Sequence, residues 1–128
     1  MTTQQAHQRI IPIYTSRGEA EAFLAFPYFF NRNGEWIGWI TSKREVYSVL
    51  GYYVGMLTND ARIVRKRSED ETKPRLQPPP RPGKLAAPAS IPLAPMMSDL
   101  TLSLIDVLQD EPELLHTFDS GEFRQDMD

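Results

Sequence analysis

Three stretches in the first half of the chain follow one spacing. Tyr14, Phe30 and Tyr47 are each followed four residues later by a glycine (Gly18, Gly34, Gly51). Four residues after that comes a small residue (Ala22, Gly38, Gly55), and two large apolar residues close each copy. A unit this short cannot bury an apolar face alone, so the copies must stack on one another. A fourth, degenerate copy is expected to begin at Ile63 (Ile63-Val-Arg-Lys-Arg67). It lacks the glycine and runs into the acidic residues Glu69, Asp70 and Glu71.

Each copy reads as a β-hairpin. Asn33-Gly34 is the strongest turn signal, because a two-residue type I′ turn needs positive φ at both central residues. Arg17-Gly18 and Leu50-Gly51 are weaker versions, which makes Gly18, Gly34 and Gly51 the expected structural turn residues. The flanking residues are β-branched or aromatic, as strands prefer. Strands are expected near 9–15, 20–25, 28–31, 35–41, 45–49, 52–58 and 61–67. Strict alternation would put Trp36, Gly38 and Ile40 on one face of the second copy and Ile37 and Trp39 on the other. Both faces are then apolar, so the strands are covered on both sides. The expected fold is all-β: a small repeat of antiparallel hairpins in a closed or pseudo-four-fold arrangement, which also protects strand edges.

The segments FFNRNGEWIGWI and VYSVLGYYVGML, and more weakly IYTSRGEAEAFL, resemble the four-fold beta-flower proteins over residues 10–67. These are small bacterial domains in which four short hairpins surround a pseudo-four-fold axis. The resemblance implies that architecture and carries over no catalytic residues. A fainter similarity is to PRC-barrel domains, which also use short glycine-containing hairpins and act as adaptors.

The second half is different. Of the eleven prolines, eight lie between Pro74 and Pro95. Each proline removes a backbone donor and fixes φ, so a packed helix or central strand is excluded there. The segment from 69 to 97 is expected to be a disordered linker with polyproline II character around Pro78–Pro82. Ser98-Asp99 then reads as a cap for an amphipathic helix carrying Leu104, Ile105 and Leu108. Glu111-Pro112 starts a second short helix carrying Leu114, Leu115 and Phe118. The expected organisation is a flexible N-terminus at 1–8, a hairpin domain at 9–68, the linker at 69–97, a helical segment at 98–118 and an acidic tail at 119–128.

Charge follows the same division. Residues 1–68 hold nine Lys/Arg and five Asp/Glu, whereas 98–128 hold one Arg and nine Asp/Glu. The chain has no cysteine, which removes disulfides, thiolate metal sites and cysteine nucleophiles. It has only two histidines, His7 and His116, so no metal or other cofactor is expected. No apolar run reaches the roughly 20 residues of a spanning helix, so the expected location is the cytoplasm, and the family resemblance implies a bacterial source. No Ser/His/Asp set, phosphate loop or paired acid is visible, so the chain is not expected to be an enzyme or to take a small-molecule substrate.

The expected function is a non-catalytic protein-interaction or assembly module, a β domain tethered to an acidic docking helix, with a protein partner or self-association. Trp36, Trp39, Tyr52 and Tyr53 are the candidate contact aromatics, because Trp and Tyr are enriched in binding hot spots. On the helix the candidates are Leu104, Ile105, Leu108, Leu115 and Phe118. The alternative is a β domain binding single-stranded nucleic acid through Arg32, Lys43, Arg44, Arg65, Lys66 and Arg67, with the acidic tail competing for that groove.

Overall fold

The computed structural model describes residues 9–68 and 73–119. The expected flexible N-terminus, the first residues of the linker (69–72) and the tail beyond Asp119 lie outside them.

Eight strands follow one another: β1 Ile11–Tyr14, β2 Ala20–Ala25, β3 Tyr28–Asn31, β4 Trp36–Ile40, β5 Glu45–Ser48, β6 Tyr53–Leu57, β7 Ile63–Lys66 and β8 Leu104–Asp106. They form one antiparallel sheet in which each strand neighbours the next. A single turn of helix, α1 Val107–Asp110, and a 3₁₀ turn at Pro112–Leu114 follow.

One local motif builds the hairpins. Thr15 and Glu19 pair through Thr15 N to Glu19 O, and the Gly18 amide donates to Thr15 O. The same two bonds recur at Asn31–Glu35 with Gly34 and at Ser48–Tyr52 with Gly51. They recur again between copies, at Thr41–Glu45 with Arg44 and at Thr58–Arg62 with Ala61. In each turn the first residue's side-chain oxygen also accepts the amide of the residue four places on. These are three-residue turns ending in one left-handed residue, φ +86° at Gly18, +81° at Gly34 and +92° at Gly51. They replace the two-residue turn expected at Asn33-Gly34. Only the last turn residue needs positive φ, and Asn31 supplies the oxygen that holds the turn.

The turns that end in Gly18, Gly34 and Gly51 are each followed by a bulge. Phe30 pairs with Trp36 and Phe29 with Gly38, so Ile37 is an extra residue. Glu21 and Val54 are extra in the same way in the first and third copies. The bulge reverses the alternation. Ile37 and Ile40 therefore share the inner core with Ala22, Leu24, Val54 and Leu57, while Trp36 and Trp39 share the outer layer. The faces expected from strict alternation are corrected accordingly. Ile13, Phe29, Val46 and Ile63, at matching places in the first strands of the four copies, are completely buried. The small positions serve close approach: a Cβ on Gly38 would lie 2.7 Å from both Leu115 Cδ2 and Tyr47 O.

The fourth copy is complete but divided. β7 starts at the expected Ile63, and its partner is β8, with Lys66 opposite Leu104 and Val64 opposite Asp106. The segment from Arg67 to Ser103 is thus the opened turn of the fourth hairpin. Leu104 and Ile105 lie on a strand instead of the expected helix over 98–118. An edge strand beside β7 must be paired or covered, and that demand outweighs a local helical pattern. Directly after β8 the chain makes the one helical turn α1, where the Asp106 carboxylate caps the Gln109 amide.

Residues 73–97 carry no helix or strand, as expected, yet they are not a free spacer. They lie against the hairpin tips, so the domain boundary expected at residue 68 does not divide the fold. A Cβ on Gly34 would lie 2.0 Å from Leu85 O, while one on Gly83 would meet nothing within 4 Å. Gly34→Ala is expected to cost about 1–3 kcal/mol through left-handed strain and the clash. Gly83→Ala should stay within about 0.5 kcal/mol of the parent. Urea unfolding of both variants checks the pair.

Candidate functional site

The tips of the first three hairpins and the strap laid over them form the most elaborate surface of the molecule. Leu76 N donates to Gly51 O at 3.0 Å and Leu85 N to Gly34 O at 2.8 Å. A Cβ on Gly18 would lie 3.6 Å from Ala94 Cβ. Ser103 O accepts from Arg67 N at the fourth hairpin. The contact residues are Leu76, Leu85, Ala94 and Ser103, nine residues apart each time. The strap leaves the fourth hairpin, touches the third, second and first tips, and returns, so it makes one lap of the sheet.

Side chains reinforce each station. The Tyr28 hydroxyl donates to Pro80 O at 2.6 Å and the Tyr14 hydroxyl to Pro92 O at 2.8 Å. Arg75 Nε donates to Leu50 O, and its guanidinium lies 5.0 Å above the Tyr52 ring. Leu76 and Leu85 insert against the outer apolar layer of Phe30, Trp36, Trp39, Tyr47 and Val49. In that layer Trp39 stacks on Tyr47 at 5.1 Å, and Tyr53 meets Tyr47 edge-on at 5.7 Å. Burial first, and Glu45 second, push the Tyr47 hydroxyl pKa above its usual value. Phe118 lines two open hollows beside the strap, of about 430 and 310 Å³.

A polar clasp joins the first hairpin to the last. Tyr14 N donates to Ala61 O. Ser16 donates from both its amide (2.7 Å) and its hydroxyl (2.6 Å) to Asp106 Oδ2. The buried Arg62 guanidinium donates to both Asp60 oxygens, to Ser16 Oγ and to Ser98 O. Buried charges persist only when paired in this way.

Comparison with protein families agrees with the repeat and with the eight-stranded curled sheet. The model of the 4-fold beta flower proteins matches residues 11–102. The chain belongs to the beta-flower family. No curated protein and no solved structure matches it.

In this beta flower the residues expected to make contacts fall in two groups. Trp36 and Trp39 are buried, and their indole N–H groups donate to Gly38 O and Ser48 O. They hold the outer layer together and do not face a partner. Ile105, Leu108 and Leu115 are buried too, the last two in the inner core. Leu104 and Tyr53 are half-buried, and Phe118 lies beneath Arg81 at 5.0 Å. Tyr52 is exposed.

Of the basic candidates, Arg65 and Lys66 line one hollow beside Tyr53, and the others lie apart from it. Arg32 lies on the second tip, whereas Lys43 and Arg44 lie on the turn at the far end of β4. Arg44 donates to Leu57 O and Thr58 O, and Arg67 donates to Leu102 O, so both guanidiniums serve the fold. Arg65 lies 3.9 Å from Glu111, and Lys66 is exposed. Sequence reading assigned no contact role to Tyr28, Leu76, Leu85, Ser16 or Asp106. The nine-residue spacing of Leu76 and Leu85 was a signal for the strap, hidden by the proline content around it.

Asp60 gives the clasp a pH dependence. The hydrogen bond from Arg62 holds its carboxyl below the ordinary value of 3.8. A carboxyl depressed in the folded state contributes stability above its unfolded pKa, and this is lost as pH falls through the folded value. Between about pH 4 and pH 2 the parent chain should therefore lose more unfolding free energy than Asp60→Asn. Equal losses in chemical denaturation would contradict this assignment.

Proposed function

We propose that this beta flower is a non-catalytic interaction module that presents the outer edge of its strap to a protein partner. One observation carries the reading. Leu93, Met96 and Leu102 are exposed to 95%, 101% and 91%, and Ile91 to 41%, all within one short stretch of chain. A run of exposed aliphatic side chains on a small protein marks a contact surface. Pro92 and Pro95 restrict the backbone that displays them, which lowers the ordering cost of binding. Among the described residues no group of three His, Asp or Glu side chains is placed to hold a metal, and no helix is long and apolar enough to cross a membrane. The buried polar groups of the clasp spend their hydrogen bonds on one another. The partner surface is thus the strap, in place of the docking helix that the sequence suggested.

Because these side chains already lie in water, the triple variant Leu93→Ser, Met96→Ser, Leu102→Ser should melt within about 2 °C of the parent. Affinity capture with the full chain should recover a defined partner that the triple variant loses. Recovery of the same proteins by both would sink the reading.

Single-stranded nucleic acid is the second reading. A cavity of about 190 Å³ lined by Tyr53, Met56, Arg65, Lys66 and Lys73 favours it. Lys73 lies 4.7 Å over the Tyr53 ring, an arrangement that also suits a stacked base with a nearby phosphate. Binding to a labelled oligonucleotide at about 50 mM salt, weakened in Lys66→Ala/Lys73→Ala and by added salt, is the expected result. No binding at that salt would dismiss it.

A further inference from the structure

The strap touches the tips the way a ligand touches a receptor. Its contacts recur at one spacing, with a backbone N–H to the carbonyl of a left-handed glycine at Gly51 and Gly34 and an aliphatic side chain on the aromatic layer. Tyrosine hydroxyls of the hairpins meet proline carbonyls at Pro80 and Pro92. An extended proline-rich chain leaves its carbonyls without internal partners, and aromatic surfaces with hydroxyl donors recognise that form. Between the stations Gln77, Ala86, Ala87, Ala89 and Ser90 are exposed, so the stations hold most of what binds the strap down.

We infer that the ring of hairpin tips is a binding face for an extended proline-rich peptide with an aliphatic residue at every ninth position. It is filled in cis by residues 75–94, and it accepts the same segment of a second copy once the resident strap is displaced. The second copy is the occupant the structure favours, because its segment carries the spacing and both aliphatic anchors that these tips already hold. The strap also enters and leaves through one hairpin, so it can swing away without unpairing β1 to β6. This surface lies beneath the strap and is independent of the outward Leu93, Met96 and Leu102.

The test uses the full chain and a fluorescent peptide of residues 73–104. In the full-length variant Leu76→Asp/Leu85→Asp the resident strap is weakened while the tips are unchanged. The peptide should bind this variant at least tenfold more tightly than the parent, where the resident strap competes at high effective concentration. A peptide carrying the same two substitutions should not bind. Equal binding to parent and variant, or equal binding of the two peptides, would overturn the inference. Should the variant fail to fold, hydrogen exchange on the parent chain decides. Leu76 and Leu85 amides exchanging at least tenfold faster than those of Ile40 and Leu57 support a separable strap. Exchange at the same rate, through global unfolding alone, would show it to be integral and reject the proposal.

Discussion

The hydrogen bond on which this fold depends is the one that closes each three-residue turn. A side-chain oxygen at Thr15, Asn31 or Ser48 accepts an amide from beyond the turn, and the third turn residue goes left-handed. In these three hairpins a bulge follows directly after the turn. The bulge lets one short strand feed two apolar layers, because it reverses the side-chain alternation partway along the strand. Ile37 and Ile40 reach the inner core while Trp36 and Trp39 reach the outer layer. Five-residue strands with no polar face are tolerable only on these terms.

The outer layer would be left wet without the strap. Phe30, Trp36, Tyr47 and Val49 are buried because Leu76, Leu85 and Phe118 cover them. A small sheet buries too little of its surface to be stable alone. Opening the fourth turn solves this, since a long loop closes at little extra entropic cost per added residue. The fourth hairpin holds both ends through Arg67 and Ser103, so the strap is tethered at its base and needs no strand or helix of its own.

The repeat was legible because it is written in residue types that only a turn or a tight contact requires. Gly18, Gly34, Gly51, Gly38 and Gly55 gave seven strands and the family resemblance. The bulge was not legible, because an extra residue such as Ile37 looks like any other strand residue and reveals itself only through pairing. β8 was hidden for another reason: Leu104 and Ile105 sit in a pattern that suits an amphipathic helix, and their partner β7 lies far away in sequence. Of the candidate contact residues, Trp36, Trp39 and Tyr53 belong to the outer apolar layer of the sheet. That surface is covered by the chain's own strap, which local sequence does not reveal. Ser16, Arg62 and Asp106 come from three distant segments and look like ordinary turn and strand residues.

The prolines are arranged to suit the lap. A proline cannot donate a hydrogen bond, so it is excluded wherever the strap must give an amide to a tip. Leu76 and Leu85 occupy those donating places, and Pro78, Pro79, Pro80 and Pro82 fill the arch between them. In the arch their missing donors cost nothing, and their carbonyls are free to accept, as Pro80 does from Tyr28. Fixed φ angles also reduce the freedom of the unfolded chain, so ordering the strap costs less than it would for a flexible loop. The composition that suggests disorder in isolation is therefore what allows a segment without helix or strand to lie in register on three hairpin tips.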